Sequence, residues 1–442
     1  MTNRRTPHPD PMKRMIENAL RPGHFIGWRE ADAFSIGLRQ TQVAIAALMK
    51  SRPERTVALY ETFIAGCAEK ADEVDGSDGE FGAFAGGLFC GWIKARQAAG
   101  ADRTETARLL LAWMDDDPYA FCHDLERGAV KVLDREGLKS FEQAVRVRFD
   151  EASAAPGQPE DHARDYQFRR WGTVLKTIYA AQRDIEKYLD LTAQAGLGEA
   201  DYETIAAMYQ AKRKPLDALE WVERGLKIDQ RSGFKLGRMR RKLLVQLDRG
   251  GEALDSAWEE FAAHPDKFTY DELMRYVPKP ARGAWHEKAM AASEKGELGS
   301  LIELWLGTKE IGRLAERLDS AGNTELDRLS HDVAELAAER LARTHPAVAA
   351  KVFRAVGMHT IDAGDSEHYD AALSNLEKAM TCYRKAGLDA QWNALVAEIR
   401  GKHRRKTSLM PGFEKLVAGV GPSREPAFLD RARKRWNKLG RA

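Results

Sequence analysis

No stretch of this 442-residue chain alternates Val, Ile and Thr with polar residues long enough to read as a strand. The apolar residues recur instead at spacings of three and four, and Ala, Leu, Glu, Lys and Arg fill the positions between them. Those residue types lose little freedom in a helix, so propensity and pattern agree at nearly every segment. The expectation is an all-α protein. Its 16 Phe, 10 Trp and 11 Tyr need an interior, which excludes a disordered chain. Helical faces are expected over residues 33–49, 57–71, 81–98, 103–115, 119–134 and 139–151, with Thr104 as an N-cap. Asp117 ahead of Pro118 reads as the cap of the fifth of these.

The second half carries a repeat. Tyr202, Ile205, Ala206 and Tyr209 share one face of a first helix, and Ala218, Val222 and Gly225 share the facing side of a second. Residues 212–215 supply the turn. Small residues let the two helices approach and large ones fill the gap. Thirty-four residues back stand Phe168, Trp171, Gly172, Leu175 and Tyr188; thirty-four or so forward stand Leu244, Ala253 and Ala257, with Pro265 after them. This order of large and small positions resembles the tetratricopeptide repeat. Pro278 and Pro280 interrupt it, and Tyr369, Ala372, Leu376, Ala379 and Tyr383 read as a later second helix. One helix pair cannot bury its own face, so stacking into a solenoid is expected. The expected organisation is a poorly ordered, proline-bearing arm at 1–30, a helical domain at 31–152 and a linker at 153–160 (Pro156, Pro159). Tetratricopeptide-like repeats then span 161–399, and a basic segment closes the chain at 400–442.

Residues 81–92 (FGAFAGGLFCGW), 108–123 (RLLLAWMDDDPYAFCH) and 401–416 (GKHRRKTSLMPGFEKL) together resemble an uncharacterised, mostly proteobacterial family of helical proteins. Its C-terminal part is similar to the helical-repeat region of SWIM zinc-finger proteins. The positions that carry this second likeness are Tyr369, Ala372, Arg400, Lys402, His403, Arg404, Arg405, Lys406, Met410 and Pro411. The resemblance implies a fold and no reaction. The CxC and Cys-x-His pairs of the SWIM finger are missing, so zinc-dependent binding is not implied.

Several chemistries find no support. His286-Glu287 opens an HExxH pattern, but Met290 stands where the second histidine is needed. Cys122-His123, as neighbours on a helix, would diverge by about 100°. Ser232-x-x-Lys235 lacks the companion motifs of serine–lysine enzymes. No GxxxxGK[ST] loop offers a phosphate cradle. The acidic loop 72–80 (Asp72, Glu73, Asp75, Asp78, Glu80) has the oxygen density of a Ca²⁺ or Mg²⁺ site but not the EF-hand order, and reads as a solvated cap on the following helix. No catalytic, cofactor or metal residue is expected.

Compartment follows from what is missing. The most apolar window, 83–93, is too short to span a bilayer, no apolar stretch follows the N-terminus, and Cys67, Cys90, Cys122 and Cys382 are widely spaced. A cytoplasmic protein with reduced thiols is expected, without membrane association.

Charge nearly balances, at +2 overall, which excludes a global commitment to nucleic acid. It is unevenly placed, however. Residues 400–442 hold 13 Lys or Arg against 3 acids, and 231–242 hold six basic residues and no acid. The sequence therefore supports a non-enzymatic scaffold for a protein partner. Its groove would be lined from the first helices by Arg169, Arg170, Thr173, Lys176, Glu203, Gln210, Arg238 and Arg241. The alternative is nucleic-acid binding through Arg238, Arg240, Arg241, Lys242, Lys402, Arg404, Arg405 and Lys406, with Trp436 available for stacking.

Overall fold

The computed structural model describes residues 10–154, 162–228 and 233–419. Among them the backbone forms 23 α-helices, and the only β pairing is an isolated bridge between Ile26 and Val74. The chain is all-α, as its pattern requires.

It divides into two compact units at Leu247 and Asp248. Unit 1 holds α1 (Pro11–Leu20), α2 (Ala31–Ala47), α3 (Pro53–Lys70), α4 (Glu80–Ala98), α5 (Arg103–Asp115), α6 (Leu125–Val132), α7 (Arg135–Ala154), α8 (His162–Gln182), α9 (Ile185–Ala195), α10 (Glu199–Ala211), α11 (Pro215–Ile228) and α12 (Gly233–Gln246). Unit 2 holds α13 (Gly250–Ala263), α14 (Lys267–Tyr276), α15 (Arg282–Ser293), α16 (Leu298–Thr308), α17 (Ile311–Ser320), α18 (Asn323–Leu326), α19 (His331–Leu341), α20 (Pro346–Ala363), α21 (Tyr369–Lys385), α22 (Asp389–His403) and α23 (Met410–Val417).

Residues 10–30 are not the loose arm that their prolines suggest. Pro11 opens α1, where its missing N–H costs nothing. Asp10 caps that helix, accepting from the Met12 N–H at 2.9 Å, and pairs with Arg55 at 2.6 Å. Ile16 and Ile26 are fully buried. The Lys70 ammonium, 2% exposed, donates to the Arg21 carbonyl at 2.9 Å, to the His24 carbonyl and to Glu73 at 2.7 Å, tying the start of the chain to the end of α3. Residues 1–9 lie outside the described residues.

Most of the expected 153–160 linker also lies outside them, but its flanks share one core. Phe149 of α7 stacks on Phe168 of α8 at 4.8 Å, and Phe149 and Trp171 belong to one buried cluster. Aromatic packing of this kind favours a single body across the two flanks. The division falls instead between the two helices of the third predicted repeat, the one whose first helix lacks the expected packing residues.

The clearest predicted repeat is built as its sequence implies. Ile205, Ala206, Ala218 and Val222 are fully buried where α10 packs on α11. Gly225 is required there: a Cβ would come within 2.8 Å of Tyr202 Cβ and of Leu236 in α12. α8 pairs with α9 in the same way and touches α10, so first helices lie side by side in tetratricopeptide fashion. In unit 2, α21 buries Ala372, Leu376, Ala379 and Tyr383 against α20 and its neighbours. Pro278 and Pro280 fall at the break between α14 and α15.

Candidate functional site

The site grows from the end of α5. A helix over 119–134 was the expectation, with Asp117 at its N-cap. The structure corrects both: the chain turns over residues 117–124 and α6 begins only at Leu125. Asp117 still caps, but it caps the turn. One carboxylate oxygen accepts from the Phe121 N–H at 2.8 Å and the other from the Cys122 N–H at 2.7 Å. Those bonds hold two residues in the left-handed region, Ala120 at φ 56° and Asp124 at φ 57°. Left-handed backbone costs a residue with a Cβ about 1 kcal/mol, and such strain persists where surrounding contacts over-determine it. The N-cap of α5 is likewise Asp102, accepting from the Glu105 N–H at 2.7 Å, and not Thr104.

Phe121 anchors the turn by packing edge-on to Phe81 at 5.9 Å. Its carbonyl lies against Gly86 of α4, where a Cβ would approach to 2.8 Å. The opposite wall is α8. Arg170 reaches across to donate to the Met114 carbonyl and lies over the Trp171 ring at 5.0 Å. Between the walls lies a cleft of about 550 Å³. Cys122 and Glu126 form buried parts of its lining, while Asp115, Asp117, His123, Asp124, Tyr166, Arg169 and Thr173 line the rest. Burial, with Asp117 nearby, pushes the Cys122 thiol up to about 12. Burial also raises the Glu126 carboxyl above the usual carboxylate range, with Asp124 adding to it.

Three of the predicted partner-binding residues, Arg169, Arg170 and Thr173, therefore meet in one cleft. Glu203 and Gln210 are exposed on the adjacent α10. Two others do not face a partner. Lys176 is tied to Asp201 at 2.6 Å and to the Gly196 carbonyl at 3.1 Å, and Arg241 is 1% exposed, inside unit 1. Arg238 is half-buried. A charged residue on a repeat's first helix reads as solvent-facing from the sequence; a shift of one position around the helix turns it inward. Glu126 was missed altogether, because one acid in the first turn of a short helix looks like an ordinary dipole-complementing residue.

The nucleic-acid set is divided between the two units. Arg238, Arg240, Arg241 and Lys242 belong to unit 1, and Lys402, Arg404, Arg405 and Lys406 to unit 2. Arg240 pairs with Glu223 at 3.4 Å, Lys402 with Glu398 at 2.7 Å, and Lys406 donates to the Ile361 carbonyl. Lys242, Arg404 and Arg405 are exposed. Trp436 and residues 420–442 lie outside the described residues.

The acidic loop diverges instead of converging. Asp72 accepts from the Tyr119 hydroxyl at 3.0 Å, Glu73 binds Lys70, Asp75 accepts from the Ser77 N–H at 3.2 Å, and Asp78 accepts from the Glu80 N–H at 2.8 Å. Among the described residues no three His, Cys, Asp or Glu side chains gather as a metal site. His286 hydrogen-bonds Tyr270 at 2.8 Å and Glu310 at 3.1 Å, while Met290 is buried. All four cysteines are free thiols. No helix among the described residues is long and apolar enough to cross a membrane.

Residues 13–410 match the family described as a family of unknown function, DUF6880. The chain belongs to that family. No curated protein matches this DUF6880 member. Among solved structures it matches a circular tandem repeat protein with novel repeat topology and enhanced subunit contact surfaces, at 12% identity over 93% of this chain and 98% of that one. The TM-score is 0.19, too low for that likeness to carry any part of the argument.

Proposed function

We propose that this DUF6880 member is a non-enzymatic, cytoplasmic scaffold that binds a protein partner along the first helices of its unit 1 repeats. One observation carries the reading: Arg169 and Thr173 of α8 stand exposed in the lining of a cleft, and Glu203 and Gln210 stand exposed on α10, which packs on α8. Adjacent first helices present an extended polar surface of the kind that captures a peptide segment. On this reading the likeness to the helical part of SWIM proteins is a likeness of scaffolds, kept without the finger.

The test is affinity capture from native-source lysate with the full chain as bait, with and without nuclease, at low and high salt. The scaffold reading expects a protein partner that survives nuclease and salt and is lost from an Arg169→Glu, Glu203→Arg double variant. Nucleic acid that elutes with salt and carries the proteins away with it refutes the scaffold and favours the exposed Lys242, Arg404 and Arg405.

A further inference from the structure

Every acid around the cleft has a partner except one. Asp115 pairs with Arg148 at 2.8 Å, Asp124 with Arg127 at 3.2 Å, and Asp117 accepts from two backbone N–H groups. Glu126 is 5% exposed and lines the same cleft, yet among the described residues its carboxyl forms no ion pair, and the hydrogen bond it takes is from its own backbone N–H. Arg127 and His123 act on that carboxyl through space but lie against Asp124, at 3.2 and 3.6 Å, and the arginines of α8 are directed elsewhere. Arg170 donates to the Met114 carbonyl, and Arg169 faces Asp165 at 3.9 Å. A buried carboxyl without a counter-charge is costly, and the cost is removed when a cation enters. Asp115 and Asp124 are offset by arginines and Asp117 by backbone N–H groups, so Glu126 is the acid of the lining that, among the described residues, is left for an entering cation. Tyr166, 61% exposed in the same lining, offers an aromatic ring along which an aliphatic stem can lie.

We infer that this cleft receives the cationic end of a lysine or arginine side chain from a partner segment, with Glu126 as its buried counter-charge. The inference rests on the scaffold reading and names the chemistry of the partner. Side-chain amine or guanidinium enters past Tyr166, and its charge meets a carboxylate that, among the described residues, no side chain pairs with. A free amine carries the same charge and is separated by experiment.

The test uses the full-length chain and saturation-transfer NMR with three probes: a blocked Ala-Ser-Lys-Ser-Ala peptide, its norleucine counterpart and butylammonium. The lysine peptide is expected to bind at least tenfold more tightly than the norleucine peptide. Glu126→Gln is expected to weaken it roughly ten- to a hundredfold, the worth of a charge-assisted bond at a buried site. Thr173→Lys, which plants a cation in the cleft without touching the buried position, is expected to compete with the peptide and weaken it as well. Asp116→Asn removes an exposed charge outside the lining and is expected to change nothing. Unaltered binding by the Glu126 and Thr173 variants overturns the inference, as does an equal loss with Asp116→Asn, which would mark surface attraction alone. Butylammonium binding as tightly as the peptide overturns the assignment to a partner's side chain. If the lysate partner is lost on reversing Arg169 and Glu203 while the peptide ignores Glu126, only this inference falls. If no lysate partner exists while the peptide discriminates, only the scaffold reading falls.

Discussion

Two neighbouring glycines of α4 test whether the cleft's turn is held where the packing places it. At Gly86 a Cβ would stand 2.8 Å from the Phe121 carbonyl oxygen, a backbone atom that cannot swing aside. At Gly87 it would meet nothing within 4 Å. Both lie within the same helix, so alanine gains about 1 kcal/mol of propensity at either site. At Gly87 that gain stands alone, and Gly87→Ala should stabilise unit 1 by about 0.5–1 kcal/mol. At Gly86 the methyl forces α4 and the turn apart, and overpacking of this kind costs about 1–3 kcal/mol. Gly86→Ala is therefore neutral to destabilising, and the two variants should differ by roughly 1–3 kcal/mol in the same direction. Urea unfolding followed by circular dichroism measures the difference, provided the m-values agree. For a body of this size, 1 kcal/mol corresponds to about 2–4 °C of Tm. Equal midpoints for the two variants would refute the close approach of α4 to the turn, and with it the account of how Phe121 sets the cleft.

Other outcomes follow from buried groups. Asp201 accepts from the Tyr188 hydroxyl, the Gly198 N–H and Lys176, each at 2.6 Å. Asp201→Asn should cost unit 1 about 2–3 kcal/mol in urea unfolding, and Tyr188→Phe about 1 kcal/mol; a loss below 0.5 kcal/mol (about the scatter of such measurements) for the aspartate variant would contradict that network. Burial pushes the Cys67 and Cys122 thiols up to about 12. Thiolate is the reactive form, so neither should react with a disulfide reagent at pH 8 in the native protein, while all four cysteines should react in guanidinium. Glu126 is raised above its unfolded value, so the folded state holds its proton to higher pH than the unfolded state does. Its contribution to stability is therefore lost as pH rises from the ordinary glutamate range through its folded value. Glu126→Gln should raise Tm at pH 8 and leave it unchanged near pH 4; the opposite trend would place a cation on that carboxyl already.

Much of the architecture was legible because helical spacing survives any arrangement of the helices. The segment expected at 103–115 coincides with α5, and the faces expected for α10, α11 and α21 are the faces that are buried. What was not legible depends on contacts between distant segments. Pro11 reads as a breaker until Asp10 and Arg55 show that it opens a helix. Asp117-Pro118 reads as a helix start, yet Asp117 accepts from residues four and five positions on and closes a turn instead. Arg241 and Lys176 read as surface charge because a linear pattern fixes a helical face only to within about one residue. The cleft itself joins residues of the 117–124 turn to α8 some fifty positions later, a pairing that periodicity cannot encode.

The order in which these helices touch has a consequence for synthesis. α7 packs on α8, α8 on α9, α10 on α11, α11 on α12, α19 on α20, α20 on α21 and α21 on α22. Each meets its main partner a few tens of residues later, so little loop entropy is lost before a contact forms. A nascent chain leaving the ribosome can thus cover each apolar stripe soon after it emerges. The Lys70 clasp, which joins Arg21 and His24 to Glu73, can close before the cleft-forming α8 has been made. Exposure to aggregation during translation is therefore brief for the helices paired in this way.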